Sequence, residues 1–174
     1  YADVMLFDEG IAKQWTESDD TAVLSDLGIT SDMYANAYSY TVDYATFNGD
    51  LKALTWQATP GTFIYRADIA EEVLGTSDPA EVQEYVKDWD SFFDTAEKMK
   101  EAGYKMVAGT NEIKYPTLNQ RTAPWVTVAA DGTETLNLDD TLVTYAERAK
   151  QLYDNDYTNK ADQWSSEWSG AMAD

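Results

Sequence analysis

The sequence predicts an α/β fold, and three observations carry that expectation. An apolar, helix-periodic stripe of Trp89, Phe92, Phe93, Ala96 and Met99 runs up to Gly103. A β-rich run, Tyr104 to Ala108, follows it directly. Earlier apolar runs, Val4 to Phe7 and Thr62 to Tyr65, also read as strands, the second leading into the helical pattern from Ala67. Strand, helix, strand in succession is the rhythm of a parallel sheet.

The elements follow in chain order. Val4-Met5-Leu6-Phe7 reads as a buried strand, with Asp8-Glu9-Gly10 just after it. In open parallel sheets, loops after strand ends line the ligand crevice. Residues 16–32 are polar and acidic, with a turn at Gly28. Tyr34, Tyr38, Tyr40 and Tyr44 show no clean period, so their conformation stays open. Asn48-Gly49 marks a tight hairpin. Leu51 to Trp56 reads as a strand, broken by Pro60-Gly61 before the run Thr62 to Tyr65. Ala67 to Leu74 is helical, with Gly75 as its stop. Asp78-Pro79-Ala80-Glu81 starts the next helix: a capping Asp, Pro in the first turn, and Glu three residues after the cap. In the helix beginning near Trp89, Asp90 and Asp94 come early and Lys98 and Lys100 late, which suits the helix dipole. Trp125 to Val128, Asp131-Gly132 and Thr133 to Leu138 form a small hairpin. Asp139 or Asp140 caps a last long helix, followed by a polar loop, Asp154 to Asp162.

Composition narrows the function. The 174 residues carry 32 acidic and 12 basic side chains, a net charge of −20. Such a chain is repelled by nucleic-acid phosphates and by anionic lipid. It has no Cys and no His. Cysteine nucleophiles, histidine bases and thiolate or imidazole metal sites are therefore excluded. Asp154-Asn155-Asp156-Tyr157-Thr158 resembles the start of a calcium loop, but the sixth position is Asn159 and the twelfth Ser165, so no metal is expected. No Gly-rich phosphate loop is present. Six Trp and twelve Tyr in a polar, acidic chain supply flat apolar faces beside polar groups. That combination suits sugars, although most single aromatic residues are expected in the core.

Several stretches carry a resemblance: Asp3 to Phe7; Asn48-Gly49; Leu54-Thr55-Trp56-Gln57-Ala58-Thr59-Pro60-Gly61; Phe63 to Asp68; Trp89-Asp90-Ser91-Phe92; Arg121 to Val126; and Gln163-Trp164-Ser165-Ser166-Glu167-Trp168. In this order they resemble the extracellular solute-binding proteins of bacterial carbohydrate ABC transporters, the group that includes maltose-binding protein. The nearest likeness is to carbohydrate-binding lipoproteins of gut Firmicutes.

The resemblance implies a periplasmic-binding-protein-like fold of type II, with residues 1–58 a partial first lobe and crossover and residues 59–174 most of the second lobe. It implies a fragment cut at both ends from a longer chain, extracellular, and lipid-anchored through a missing N-terminal segment. The function implied is non-enzymatic: an oligosaccharide is captured by closure of two lobes and delivered to the permease subunits, with no cofactor. By position, the ligand-binding candidates are Asp8, Glu9, Trp56, Gln57, Thr59, Asn111, Glu112, Tyr115 and Trp125. Structural alternatives stand beside them: Asp8 as a helix cap, Trp56 as core, Asn111 in an Asx turn. The rival functions are a carboxylate-dependent glycan-active enzyme and a secreted protein-binding module.

Overall fold

A computed structural model describes residues 3–172. Tyr1, Ala2, Ala173 and Asp174, where the sequence reading places the cut ends, lie outside the described residues. The chain divides into two compact units, one ending at Pro60 and one beginning at Gly61.

The first unit is built from short pieces. Helix α1 (Glu9–Thr16) starts at Asp8, whose carboxylate accepts the Gly10 N–H at 3.0 Å. Phe7 stacks on Trp15 with ring centroids 5.3 Å apart. Helix α2 (Ser39–Tyr44) leads into the hairpin of β1 (Thr46–Phe47) and β2 (Asp50–Leu51). Its turn is the expected Asn48-Gly49, with φ of 52° and 90°. Two positive φ values in succession give the twist that a two-residue hairpin needs. Lys52 reaches back to the Ser18 carbonyl at 2.7 Å.

The second unit is mainly helical. It contains α3 (Ala67–Leu74), α4 (Pro79–Tyr85), α5 (Trp89–Glu101), α6 (Lys114–Leu118), the hairpin β3 (Val126–Val128) with β4 (Glu134–Leu136), α7 (Asp140–Asp154) and α8 (Ser166–Gly170). The caps read from sequence are in place. Gly75 ends α3 in the left-handed region at φ 78°. Asp78 accepts from the Ala80 and Glu81 N–H groups, and Asp139 from that of Thr141. Each such cap contributes about 1 kcal/mol. The core gathers Phe92 and Ala96 of α5, Leu152 of α7, Ile113 and Tyr157, with Trp89, Phe93, Met106, Val107, Tyr145 and Ala149 around them.

Four expected strands differ. Val4 to Phe7 is irregular, with Val4 and Leu6 mostly exposed, not a buried strand. Leu51 to Trp56 pairs only at Leu51. Thr62 to Tyr65 is irregular; Phe63 instead sets its ring against Phe92. Tyr104 to Ala108 forms a single parallel bridge, Val107 with Thr158. The common reason is pairing. A strand is stable only when its N–H and C=O groups meet another strand, and periodicity in one segment does not supply the neighbour. The parallel rhythm thus survives as one rung. Met106 N–H bonds the Tyr157 carbonyl at 2.8 Å, and Ala161 N–H bonds that of Ala108 at 3.0 Å. The segment read as a polar loop supplies that partner, and its Tyr157 and Thr158 are buried.

Tyr157 also ties the core to α5. Its hydroxyl donates to the Glu97 carboxylate at 2.5 Å. That bond, followed by burial, pushes the phenol up from 10 to about 12. A raised folded-state value means that the folded chain holds this proton more tightly. The stabilisation is complete below the ordinary value of 10 and is lost as pH rises towards about 12. Denaturation midpoints of the wild type should therefore fall across that window more steeply than those of Tyr157→Phe. Equal slopes would remove Tyr157 as the source.

Candidate functional site

The site in the second unit grows from the parallel rung. Beyond Val107 the chain turns at Gly109 into a single 3-10 turn, Thr110–Ile113. Ile113 is buried in the core, which fixes the turn and leaves Asn111 and Glu112 at the surface side of it. The Tyr145 hydroxyl of α7 lies 3.5 Å from the Thr110 carbonyl. On the partner side of the rung, the chain leaves Ala161 and reaches α8, whose cap, Ser165, accepts the Trp168 N–H at 3.1 Å. Two segments distant in sequence thus arrive together.

Where they meet, aromatic and polar groups cluster. Trp164 and Trp168 have ring centroids 5.0 Å apart, tilted by 56°. Trp164 is 79% exposed, whereas Trp168 is half-buried. The Trp168 indole N–H donates to Glu112 Oε1. Glu112 Oε2 accepts the Gly109 N–H at 3.0 Å. Asn111 Nδ2 donates to Gln163 Oε1 at 3.3 Å, a long and exposed bond. Its own residue's backbone N–H, then Ser166 and Ser165, hold the Glu167 carboxyl below its ordinary value. The result is an exposed indole, Trp164, on the segment whose Gln163 pairs with the Asn111 amide, with Glu112 and Glu167 nearby in the same cluster.

Of the sequence candidates, only Asn111 and Glu112 join this cluster directly. Asp8, Glu9, Trp56, Gln57 and Thr59 belong to the first unit. There Asp8 is a helix cap, and the Glu9 carbonyl accepts the Tyr44 hydroxyl at 2.5 Å. Gln57 Nε2 donates to Thr59 Oγ1 at 3.3 Å. Trp56 is 72% exposed and so is not core. Tyr115 lies on α6, with the Lys114 ammonium 5.0 Å from its ring centre. Trp125 stands before β3 with the Arg121 guanidinium 3.3 Å from its ring centre. That leaves Trp125 one face to offer, and Asn137 fixes its backbone through a 2.7 Å bond to its carbonyl.

Gln163, Trp164 and Trp168 were not among the candidates. Their one sequence signal was the pair of Trp residues four apart, within a stretch that carried the family resemblance. A second aromatic surface, Trp89 in a groove of about 520 Å³ between α5 and α7, is less suited to stacking because the Arg148 guanidinium lies 4.0 Å from its ring centre. Among the described residues, no group of three or more acidic side chains is placed to hold a metal ion. No helix among them is long and apolar enough to cross a membrane.

A family model for bacterial extracellular solute-binding proteins matches residues 2–174. The chain belongs to this family. No curated protein and no solved structure matches it. The membership makes this an extracellular solute-binding protein of ABC transport, with a ligand and permease subunits as its general partners. It is a family of binding proteins, whose members generally capture and release their ligand unchanged. The solute-binding protein combines helices with small sheets, as its family's mixed α/β class allows.

Proposed function

We propose that this solute-binding protein captures a carbohydrate, an oligosaccharide, and delivers it to the permease of an ABC importer. The observation that carries the reading is the exposed Trp164 ring beside Trp168, on the segment whose Gln163 pairs with the exposed Asn111 amide. A pyranose has an apolar C–H face and a rim of hydroxyls. It matches an exposed indole with amides nearby better than it matches an apolar groove or a charged pocket. Trp56 and the open face of Trp125 support the reading as further stacking surfaces, with Gln57, Thr59 and Tyr115 as polar partners and Asp8 and Glu9 as carboxylates for hydroxyl protons.

The same reading takes residues 1–58 as belonging to a first lobe with the crossover and residues 59–174 as belonging to the second. Closure of two lobes on the sugar and a lipid anchor at the cell surface belong to it as well. Binding then selects by hydroxyl pattern, because a sugar lacking one paired hydroxyl leaves a buried polar group without a partner.

Isothermal calorimetry against neutral plant and host oligosaccharides tests this. The expected result is a saturating one-site isotherm for one class of glycan, with heat ceasing at saturation. Heat that continues after saturation would mean turnover and an enzyme. Silence across the panel would overturn the carbohydrate reading.

A further inference from the structure

The backbone of Trp164 is in the left-handed region, at φ 71°. For a residue with a Cβ this costs about 1–2 kcal/mol. It persists only where the surroundings impose it, yet the ring it presents is mostly exposed. Burial therefore does not explain the strain. What holds the segment is on its inner side. Ser165 N–H bonds the Asp162 carbonyl at 3.0 Å, Ser165 caps α8, and the Trp168 ring sits against that of Trp164. Trp168 in turn is held by its indole N–H on Glu112. Both carboxylate oxygens of Glu112 are committed to protein donors, one to Trp168 and one to Gly109. The exposed amide pair Asn111–Gln163, by contrast, is joined by one long bond that a hydroxyl can replace.

We propose that Trp164 is the ring on which the ligand stacks, and that Glu112 positions it through the Trp168 indole instead of binding the ligand itself. The ligand half of this proposal rests on the carbohydrate reading above; the positioning half does not. An amide in place of Glu112 turns one NH₂ towards an N–H donor, either that of Gly109 or that of Trp168. Glu112→Gln can therefore keep the indole by giving up Gly109, whereas Glu112→Ala removes both acceptors and should release the indole, so that the two rings lose their fixed angle.

Two readouts test it on the whole chain. The first needs no ligand. Two indoles at this spacing and tilt couple excitonically, so the wild type should show a couplet in the ultraviolet circular dichroism that E112A loses. The second is calorimetry with maltotetraose, xylotetraose and mannotetraose. For whichever sugar binds, W164A should weaken binding by about tenfold or more, and W164Y should restore part of it. E112A should weaken it by about tenfold in the wild-type background but by far less in W168F, whose ring has no N–H to place. A couplet retained in E112A would remove Glu112 as the group that holds the indole, and an equal loss of affinity in both backgrounds would make Glu112 a direct ligand contact; either result overturns the proposal. Tight binding by W164A would overturn it too. Silence of the wild type towards all three sugars, with the couplet lost in E112A, would sink the carbohydrate reading and support the positioning role. Should E112A fail to fold, W168F alone still decides: its ring has no N–H to place, so it should weaken binding by about tenfold, and unchanged binding would overturn the proposal.

Discussion

Leu152→Ala should destabilise the second unit by about 2–5 kcal/mol. Leu152 is fully buried on the inner face of α7, in one cluster with Phe92, Ala96, Ile113 and Tyr157. Removing its branched end loses the transfer free energy of those carbons and leaves a cavity. The surrounding rings and the α5 backbone are poorly able to close it. The loss reaches the site by a short route, since Ile113, the residue after Glu112, packs in the same cluster. The Leu152 carbonyl also accepts the Tyr157 N–H at 2.9 Å, at the start of the segment that forms the parallel rung. Urea unfolding followed by tryptophan fluorescence measures the effect as a lower midpoint. Leu136→Ala, on the exposed β4, serves as the comparison and should change stability by no more than about 0.5 kcal/mol. Equal costs for the two would mean that this cluster is not the core of the unit.

Gly109→Val should cost about 1–3 kcal/mol and dismantle the candidate site. Gly109 has φ −150° and ψ −174°, extended backbone that any residue adopts, so conformational freedom is not the reason for glycine here. Space is. A Cβ at this position would run into the Ala161 carbonyl oxygen, which is backbone and cannot swing aside. That neighbour belongs to the pairing in which Ala161 N–H bonds the Ala108 carbonyl. Relief requires the two segments to separate, and they are the ones that bring Glu112 and Trp168 together. Amide exchange should speed up at Ala161, and the Trp164–Trp168 circular dichroism couplet should weaken. Gly61→Ala, where the added carbon meets nothing within 4 Å, should be close to neutral. A Gly109→Val variant as stable as wild type, with Ala161 still protected, would show that the segments have room to yield.

Local features were readable without the fold. The Asp78-Pro79 start, the Asp139 cap, the Gly75 stop, the Asn48-Gly49 turn and the apolar stripe of α5 each depend on neighbours within a turn or two. Asn111 and Glu112 were read as ligand candidates because they follow a predicted strand end, and that strand is a single parallel bridge. The strands were less legible. Val4 to Phe7 and Thr62 to Tyr65 have the composition of strands, but composition does not provide a partner edge. Trp164 escaped notice because exposure is a tertiary property: nothing in Gln163-Trp164-Ser165 distinguishes an exposed indole from a core one.

By itself, then, the sequence determined four helices, α3, α4, α5 and α7, with the Asp78, Asp139 and Gly75 caps among them, and the hairpin turns. Its composition removed thiol, imidazole and nucleic-acid chemistry, and its motifs pointed to the solute-binding family that the family model supports. Only the tertiary structure decided that Glu112 meets a tryptophan 56 residues away, that Gly109 is required by the Ala161 carbonyl, and that Arg121 and Arg148 cover the faces of Trp125 and Trp89. The physical reason is range. Caps and turns are set by hydrogen bonds within a few residues, whereas the parallel rung and the site beside it form when segments about fifty residues apart close a loop, at an entropic cost that only the shared core repays.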